Sequence, residues 1–121
     1  MDRADGKRNA DGARAEALAA RHLEKHGLAI VARNVRSRFG EIDLVARDGA
    51  TLVFVEVRLR RSTSRGGAAE SITAAKRARL VKAAQGYLAT LAREPACRFD
   101  AVLLDGLDEA RCEWVKDVVS A

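Results

Sequence analysis

The chain has 121 residues, of which 48% are hydrophobic and 4% aromatic, and its formal net charge is +5. This length and composition predict one domain with a mainly aliphatic core and leave no room for a second domain. The sequence contains neither an apolar stretch long enough to span a membrane nor a secretory signal, and its two cysteines lack metal-ligand spacing. We therefore expect a cytoplasmic protein without a membrane partner.

The N-terminal part of the sequence divides into a tail and a helix. Residues 1–11 are polar and lack periodicity, which predicts a flexible tail ahead of a single domain over residues 12–121. From Gly12 to Lys25, apolar residues recur at helical spacing, and Gly27 is a natural stop. Glu16 lies on the apolar side of this helix, so its carboxylate needs a partner, which is either a metal site or an arginine.

A first strand is predicted over residues 28–36, and a hairpin follows between Gly40 and Arg60. Asp48-Gly49 is a strong turn signal between alternating apolar residues and an apolar run. If the turn has two residues, cross-strand partners have numbers with an odd sum, and one face of the sheet then carries Glu41, Asp43, Glu56 and Arg58. A three-residue loop would separate them.

Two acidic residues of this hairpin are candidate metal ligands. On a shared face, Asp43 and Glu56 lie about 5 to 8 Å apart, and such carboxylates suit Mg²⁺ or Mn²⁺. Acidic residues on a half-exposed sheet are usually only solvated. Glu56, however, lies within the apolar run LVFVEV, which is typical of a strand covered on both faces, and a carboxylate there needs a cation or a hydrogen-bond donor. The pattern therefore favours a metal site.

The remaining elements complete an α/β fold. Residues 73–92 have the apolar spacing of an amphipathic helix that ends before Pro95. Residues 99–104 and 112–119 are predicted strands, and Cys97 and Cys112 near their starts are either neighbours or ordinary buried thiols. The order αβββαββ predicts a mixed central sheet of about five strands flanked by helices.

The motifs GEID at 40–43 and FVEVRLR at 54–60 resemble those of the YraN-like uncharacterised bacterial proteins. Further similarity extends over Gly12, Glu16, Asn34, Lys76 and the RFD run at 98–100. YraN-like proteins in turn resemble archaeal Holliday-junction resolvases of the PD-(D/E)xK nuclease superfamily. The resemblance implies a restriction-endonuclease-like core and a Mg²⁺-dependent phosphodiesterase site, with Asp43 and Glu56 as metal ligands and Glu16 as a further carboxylate. It is also compatible with a homodimer.

The sequence departs from the superfamily motif at Arg58, where a lysine is expected two residues after the glutamate. Arginine, whose guanidinium stays charged at any physiological pH, can bind a phosphate but is a poor proton relay. Lys76, at the inner end of the second helix's apolar face, is an alternative source of the ammonium group, unless its side chain extends into water. The candidate catalytic residues are therefore Glu16, Asp43, Glu56, Arg58 and Lys76.

A basic segment begins two residues after Glu56 on the candidate metal-binding strand. Its arginines are suited to gripping a phosphate backbone, and the second helix extends the segment: Arg58, Arg60, Arg61, Arg65 and Arg77, with Arg79 and Lys82 beyond. A solvated charged loop is the alternative. Because the segment has almost no aromatic residues, we expect binding to duplex or branched DNA rather than base stacking on an unpaired strand.

Two functions follow from these residues. The first is a metal-dependent endonuclease that acts on structured or branched DNA. The second is a nucleic-acid-binding protein on a nuclease fold with weak or lost catalysis, which Arg58 in place of lysine favours. A scaffold for a protein partner is a more remote third.

Overall fold

The computed structural model describes the backbone of residues 3–60 and 73–119, and the side chains of residues 10–59 and 73–119. The expected order of elements is confirmed. The elements are α1 (Arg3–Lys25), β1 (Ala29–Ser37), β2 (Gly40–Asp48), β3 (Thr51–Arg60), α2 (Ala74–Leu88), β4 (Cys97–Asp105), a 3₁₀ turn (Glu109–Arg111) and β5 (Cys112–Val115).

Three element boundaries differ from those expected by more than two residues. Helix α1 begins at Arg3 rather than near Gly12, while the flexibility of residues 1–11 stays a prediction. Helix α2 ends at Leu88: the amide of its C-cap residue, Ala89, still donates to the carbonyl oxygen of Gln85 (3.0 Å), but the next amide, that of Thr90, makes a tighter bond to the carbonyl oxygen of Tyr87 (3.0 Å). Strand β5 is shorter than expected, and the chain takes a left-handed conformation (φ 60°) two residues after its end, at Asp117. A left-handed residue interrupts the extended backbone that a strand requires.

The strands form one mixed sheet in the order β1-β2-β3-β4-β5. Strands β3 and β4 are parallel, and the other neighbouring pairs are antiparallel. Helix α2 lies between the two parallel strands in the sequence and makes the crossover that such a pair requires. Glu56 therefore lies on the central strand of the sheet, as the apolar sequence around it predicts.

The two helices cover opposite faces of the sheet. Helix α1 contributes Ala15, Ala19, Ala20 and Leu23 to a buried cluster with Leu44, Ala46, Val53, Val55, Val102 and Leu104. Helix α2 contributes Leu80, Ala83 and Ala84 to a second cluster with Ile42, Val45, Leu52 and Phe54. Both clusters are mostly aliphatic, as the low aromatic content predicts, and each fixes one helix against one face of the sheet.

A buried polar network joins the last two strands. Asp100, which is fully buried, accepts hydrogen bonds from Arg98 Nε (3.1 Å), Trp114 Nε1 (2.9 Å) and the amide of Asp117 (3.0 Å). Arg98 also forms a 3.0 Å ion pair with Asp48 at the hairpin turn. Because its donors satisfy the buried carboxylate, this aspartate of the RFD run has a structural role.

The positions of the two cysteines differ from both expectations drawn from the sequence. Cys97 pairs with Leu52 and Cys112 with Leu104, so the two cysteines lie at opposite ends of β4 and are not neighbours. Both are free thiols, and Cys97 is exposed rather than buried.

Among the residues that the structure describes, no helix is long and apolar enough to cross a membrane.

Candidate active site

The hairpin between β2 and β3 has the two-residue turn that the site requires. Asp48 pairs with Thr51, which leaves Gly49 and Ala50 as the turn, and Gly49 adopts a left-handed φ of 61°. Leu44 pairs with Val55, so partner numbers have the expected odd sum. Continuing this register places Asp43 across from Glu56.

The strands separate at Asp43. Regular pairing of β2 with β3 ends at Leu44, and beyond it the Asp43 Oδ2 atom accepts a 2.8 Å hydrogen bond from the backbone amide of Val57. The alternation of β2 also breaks here, because Ile42 packs on the α2 side and Leu44 on the α1 side. The Asp43 carboxylate thus binds a strand amide at the fork where the two strands part.

Asp43 lies in an acidic environment. Burial, together with the charges of Glu56, Glu16 and Glu41, raises its pKa to about 8, although the hydrogen bond from Val57 acts in the opposite direction. At neutral pH this carboxyl group is therefore mostly protonated in the metal-free protein. A divalent cation at the same place would supply the positive charge that the group of carboxylates lacks.

Glu16 faces this acidic group from helix α1. Burial raises its pKa, while hydrogen bonds from Asp43 and Asn34 lower it. A protonated Asp43 is the donor in the bond between the two carboxyl groups. Asn34 has a positive φ of 53° on β1. Of the two partners foreseen for Glu16, a metal site or an arginine, the structure brings it to the candidate metal site.

Glu56 lies in a cavity of about 240 Å³ between the hairpin and helix α2. We call it the α2-side cavity, and its lining residues are Gly40, Glu41, Glu56, Arg58, Lys76, Arg79 and Leu80. Burial raises the pKa of Glu56, and the positive charges of Arg58 and Arg79 partly offset that effect. The cavity therefore combines carboxylates with three basic side chains.

Arg58 and Lys76 both reach the surroundings of Glu56. The Arg58 Nε atom lies 3.6 Å from Glu56 Oε2 in a largely buried ion pair. Lys76 stands in the first turn of α2, where its amide donates to the side chain of the N-cap residue Thr73 (3.2 Å). Its side chain is half-buried and lines the cavity, so the alternative of a fully solvated lysine is not what the structure shows.

Arg79 is a lining residue whose position the sequence reasoning missed. The sequence assigns it only to an extension of the basic segment, yet it faces the same cavity as Lys76, which lies one turn earlier on the helix. The spacing of three residues between these two cations is the signal that could have paired them. Arg77, between them, does not line the cavity. The side chain of Arg60 and residues 61–72, with Arg61 and Arg65, lie outside the described residues.

A second cavity, of about 540 Å³, lies on the other face of the sheet. Its lining residues come from α1, β2 and β3: Asp11, Gly12, Ala15, Glu16, Glu41, Val57, Arg58 and Leu59. Glu41 and Arg58 border both cavities. Sequence reasoning placed Glu41 on the shared face but gave it no role, and its place in the GEID motif is the signal for one.

The carboxylates are not gathered as a complete metal cage. Within residues 10–59 and 73–119, no three acidic, histidine or cysteine side chains form a group that could hold a metal ion. Mg²⁺ usually takes only one or two protein carboxylates and completes its shell with water and substrate phosphates. Two carboxylates, the number predicted from the sequence with Asp43 and Glu56, are therefore enough for such an ion.

Comparison with known sequences gives the family of the chain. A family model, described as "Uncharacterised protein family UPF0102", matches residues 15–104. The chain belongs to this family. The matched segment contains all five candidate catalytic residues, and the predicted similarity to YraN-like proteins is confirmed.

Individual UPF0102 proteins match almost the whole chain. A UPF0102 protein of Methylobacillus flagellatus is 55% identical over 107 residues, which cover 88% of this chain and 94% of the relative. One of Dechloromonas aromatica is 53% identical over 120 residues, covering 98% and 96%. The names of these UPF0102 relatives carry no activity, so function must be argued from the site itself.

Proposed function

We propose that this protein is a metal-dependent endonuclease that acts on structured or branched DNA. One observation carries the proposal: Asp43 occupies the fork of the hairpin next to Glu56, and three basic side chains line the cavity that holds Glu56. Carboxylates beside cations are the components that phosphodiester hydrolysis needs, since the first hold a metal and the second bind phosphate.

Asp43 and Glu56 are the residues that would hold the Mg²⁺ or Mn²⁺ ion. Both are partly buried carboxylates whose pKa values are raised, so their charged forms lack sufficient compensation without a cation. When bound, such an ion polarises a phosphoryl oxygen and lowers the pKa of a coordinated water. The superfamily resemblance implies the same two ligands.

The basic residues of the α2-side cavity have distinct roles in this proposal. Arg58 and Arg79 donate hydrogen bonds to phosphate oxygens and stabilise the negative charge that develops on them. Neither can accept a proton, because guanidinium stays charged at neutral pH. Lys76 can exchange a proton, and it lines the same cavity, so it is the candidate for the lysine that β3 lacks.

Glu16 has a positioning role. It accepts hydrogen bonds from Asp43 and Asn34, so it affects the charge and orientation of the Asp43 carboxyl group. Such supporting hydrogen bonds usually affect metal affinity by about 10- to 100-fold. We therefore place Glu16 beside the metal ligands rather than among them.

A second candidate function is nucleic-acid binding with weak or lost catalysis. The ion pair between Arg58 and Glu56 favours it, because the guanidinium occupies the position of the superfamily lysine and partly neutralises a metal ligand. In this case the cavity would bind a backbone phosphate without cleaving the adjacent bond.

A nicking assay separates the two functions. The protein is incubated with branched and linear DNA in Mg²⁺, in Mn²⁺ and in EDTA, beside an Asp43→Asn variant. We expect metal-dependent nicking by the wild type, stronger on branched DNA, and none above background by the variant. Asparagine can still accept the hydrogen bond from Val57, so the fold is retained.

A matched control guards against a contaminating nuclease. Asp48→Asn changes an aspartate on the same strand that pairs with Arg98 at the turn, away from both cavities. This variant should nick like the wild type. Equal nicking by Asp43→Asn and Asp48→Asn would reject the proposed site, and DNA binding without nicking in any metal would favour the second function.

A further inference from the structure

The turn between β1 and β2 exposes an aromatic ring beside the candidate active site. Phe39 is 38% exposed and is one of three exposed large hydrophobic residues in the described part of the chain, with Val31 and Leu91. Single exposed hydrophobic residues are common on protein surfaces. Phe39 differs from an ordinary one in how firmly its turn is held and in what surrounds its ring.

Hydrogen bonds from one side chain fix the turn. The amide of Phe39 donates to Ser37 Oγ (3.1 Å), and the same hydroxyl donates to the carbonyl oxygen of Gly40 (3.0 Å). Gly40 has a φ of 142°, a conformation that side chains rarely adopt. An aromatic residue held this way loses little conformational entropy when it binds a ligand.

Two cations lie close to the Phe39 ring. The guanidinium carbon of Arg38 is 4.9 Å from the ring centroid, and Lys82 Nζ is 5.8 Å from it. Both side chains are exposed. Arg38 comes from the turn and Lys82 from helix α2, so only the fold brings this pair together around one ring. Each cation is attracted to the ring it lies over, and because both side chains are long and exposed, a stacking base can displace one of them onto a neighbouring phosphate.

The ring is one residue from the α2-side cavity. Gly40 lines that cavity together with Glu56, and it directly follows Phe39. The ring is therefore within one nucleotide's reach of a phosphate bound in the cavity. An aromatic ring flanked by cations is the arrangement by which proteins stack on bases that are not paired.

We infer that Phe39 stacks on an unpaired base of branched or gapped DNA, while Arg38 and Lys82 bind the phosphates on either side of it. The inference rests on the proposed function for its DNA partner and names the feature by which a branched substrate is recognised. It also changes the sequence expectation that base stacking plays no part, because the aromatic residue comes from outside the basic segment.

Binding of a DNA flap that carries the fluorescent base 2-aminopurine at an unpaired position tests the inference. The measurement is made in EDTA, so that it does not depend on cleavage. We expect the wild type to quench the fluorescence and to bind the flap more tightly than a perfect duplex of equal length. Phe39→Ala should abolish the quenching and weaken flap binding about 10- to 100-fold, with duplex affinity nearly unchanged.

Two further variants make the test specific. Phe39→Trp keeps an aromatic ring and should retain quenching and flap affinity. Leu91→Ala removes a hydrophobic side chain of nearly the same exposure, 37%, and should change neither. Equal flap binding by Phe39→Ala and Leu91→Ala, or quenching that persists in Phe39→Ala, would overturn the inference.

The outcome is separable from that of the nicking assay. Quenching that depends on Phe39, in a protein that nicks no DNA, would reject the endonuclease and leave the stacking site standing. Nicking that depends on Asp43 but is unaffected by Phe39→Ala, with no quenching, would support the endonuclease and reject the stacking site.

Discussion

The guanidinium Nε of Arg58 lies 3.6 Å from a carboxylate oxygen of Glu56, two residues earlier on the same strand. Both side chains are largely buried, and both line the α2-side cavity. The pair matters for function because Glu56 is a candidate metal ligand and Arg58 takes the position of the superfamily lysine. Changing either partner therefore changes the charge available to a metal and to a phosphate.

Arg58→Lys should increase metal-dependent nicking. Lysine places a compact ammonium group two residues from Glu56, where it can exchange a proton that arginine cannot. Removal of one charge-stabilising donor typically costs about 100- to 1000-fold in rate, so a partial recovery of about tenfold should be measurable. Initial nicking rates under saturating Mg²⁺ give the comparison.

Arg58→Gln and Lys76→Ala complete that experiment. The glutamine variant removes the charge and should nick more slowly than the wild type. If Arg58→Lys has no effect while Lys76→Ala sharply reduces nicking, the proton-exchanging lysine lies on helix α2. No nicking by any of these variants, with DNA binding intact, would argue for the binding protein.

Without divalent metal, the stability of the protein should fall as the pH rises toward 8. The pKa of Asp43 is raised from 3.8 to about 8 in the folded state, mainly by burial. Between these values the folded state binds more protons than the unfolded state, so raising the pH favours unfolding. Asp43→Asn should remove this contribution and stabilise the protein by about 1 to 3 kcal/mol at pH 7.5.

Urea denaturation in EDTA at pH 5 and pH 7.5 measures this effect. The wild type should lose more stability between the two pH values than Asp43→Asn does. Asp48→Asn, whose side chain is 41% exposed, is the control and should follow the wild type. Identical pH dependence in wild type and Asp43→Asn would show that the Asp43 carboxyl group titrates normally.

Asp100→Ala should destabilise the fold by about 3 kcal/mol or more. The change leaves Arg98 Nε, Trp114 Nε1 and a backbone amide without their common buried acceptor. Asp48→Ala removes only the partly exposed partner of Arg98 and should cost less than about 1 kcal/mol. Urea titration measures the free energy of unfolding of both variants. A similar loss of stability in Asp100→Ala and Asp48→Ala would contradict the structural role assigned to Asp100.

DNA binding should be mainly electrostatic and should weaken when Arg60, Arg61 and Arg65 are neutralised together. For each DNA phosphate that the variant no longer neutralises, the slope of log affinity against log salt should become shallower by about 0.9. Fluorescence anisotropy across a salt series measures that slope. As a control, the same number of exposed arginines that line neither cavity are replaced, namely Arg21, Arg47 and Arg111. An equal loss of affinity in both triple variants would mean that only net charge matters.

Local patterns predicted most of the fold because its elements follow their own sequence signals. The turn signal at Asp48-Gly49 and the alternating apolar residues around it predict the hairpin, and the register found from Asp48 and Thr51 to Leu44 and Val55 has the odd sum of the two-residue alternative. Boundaries were less predictable. Helix α2 ends before Ala92 because backbone caps close it, and capping competes locally with an apolar pattern that continues further.

The candidate site could be predicted only in part, because several of its contacts depend on how separate elements meet. The break in alternation at Asp43 and the hydrogen bond from Val57 depend on how two strands diverge, which strand periodicity does not encode. The same holds for the bond between Glu16 and Asp43, where a helix residue meets a strand residue across the sheet.

By itself, the sequence determined the order of elements, the position of the hairpin and the candidate ligands, because each depends on residues close together in the chain. Only the tertiary structure decided which cations surround Glu56 and which aromatic ring stands beside them. Arg79 and Lys82 come from α2, whereas Glu56 and Phe39 come from the sheet and its turn. Their meeting depends on helix packing against one sheet face, and packing is set by the buried apolar clusters rather than by the polar residues that it brings together.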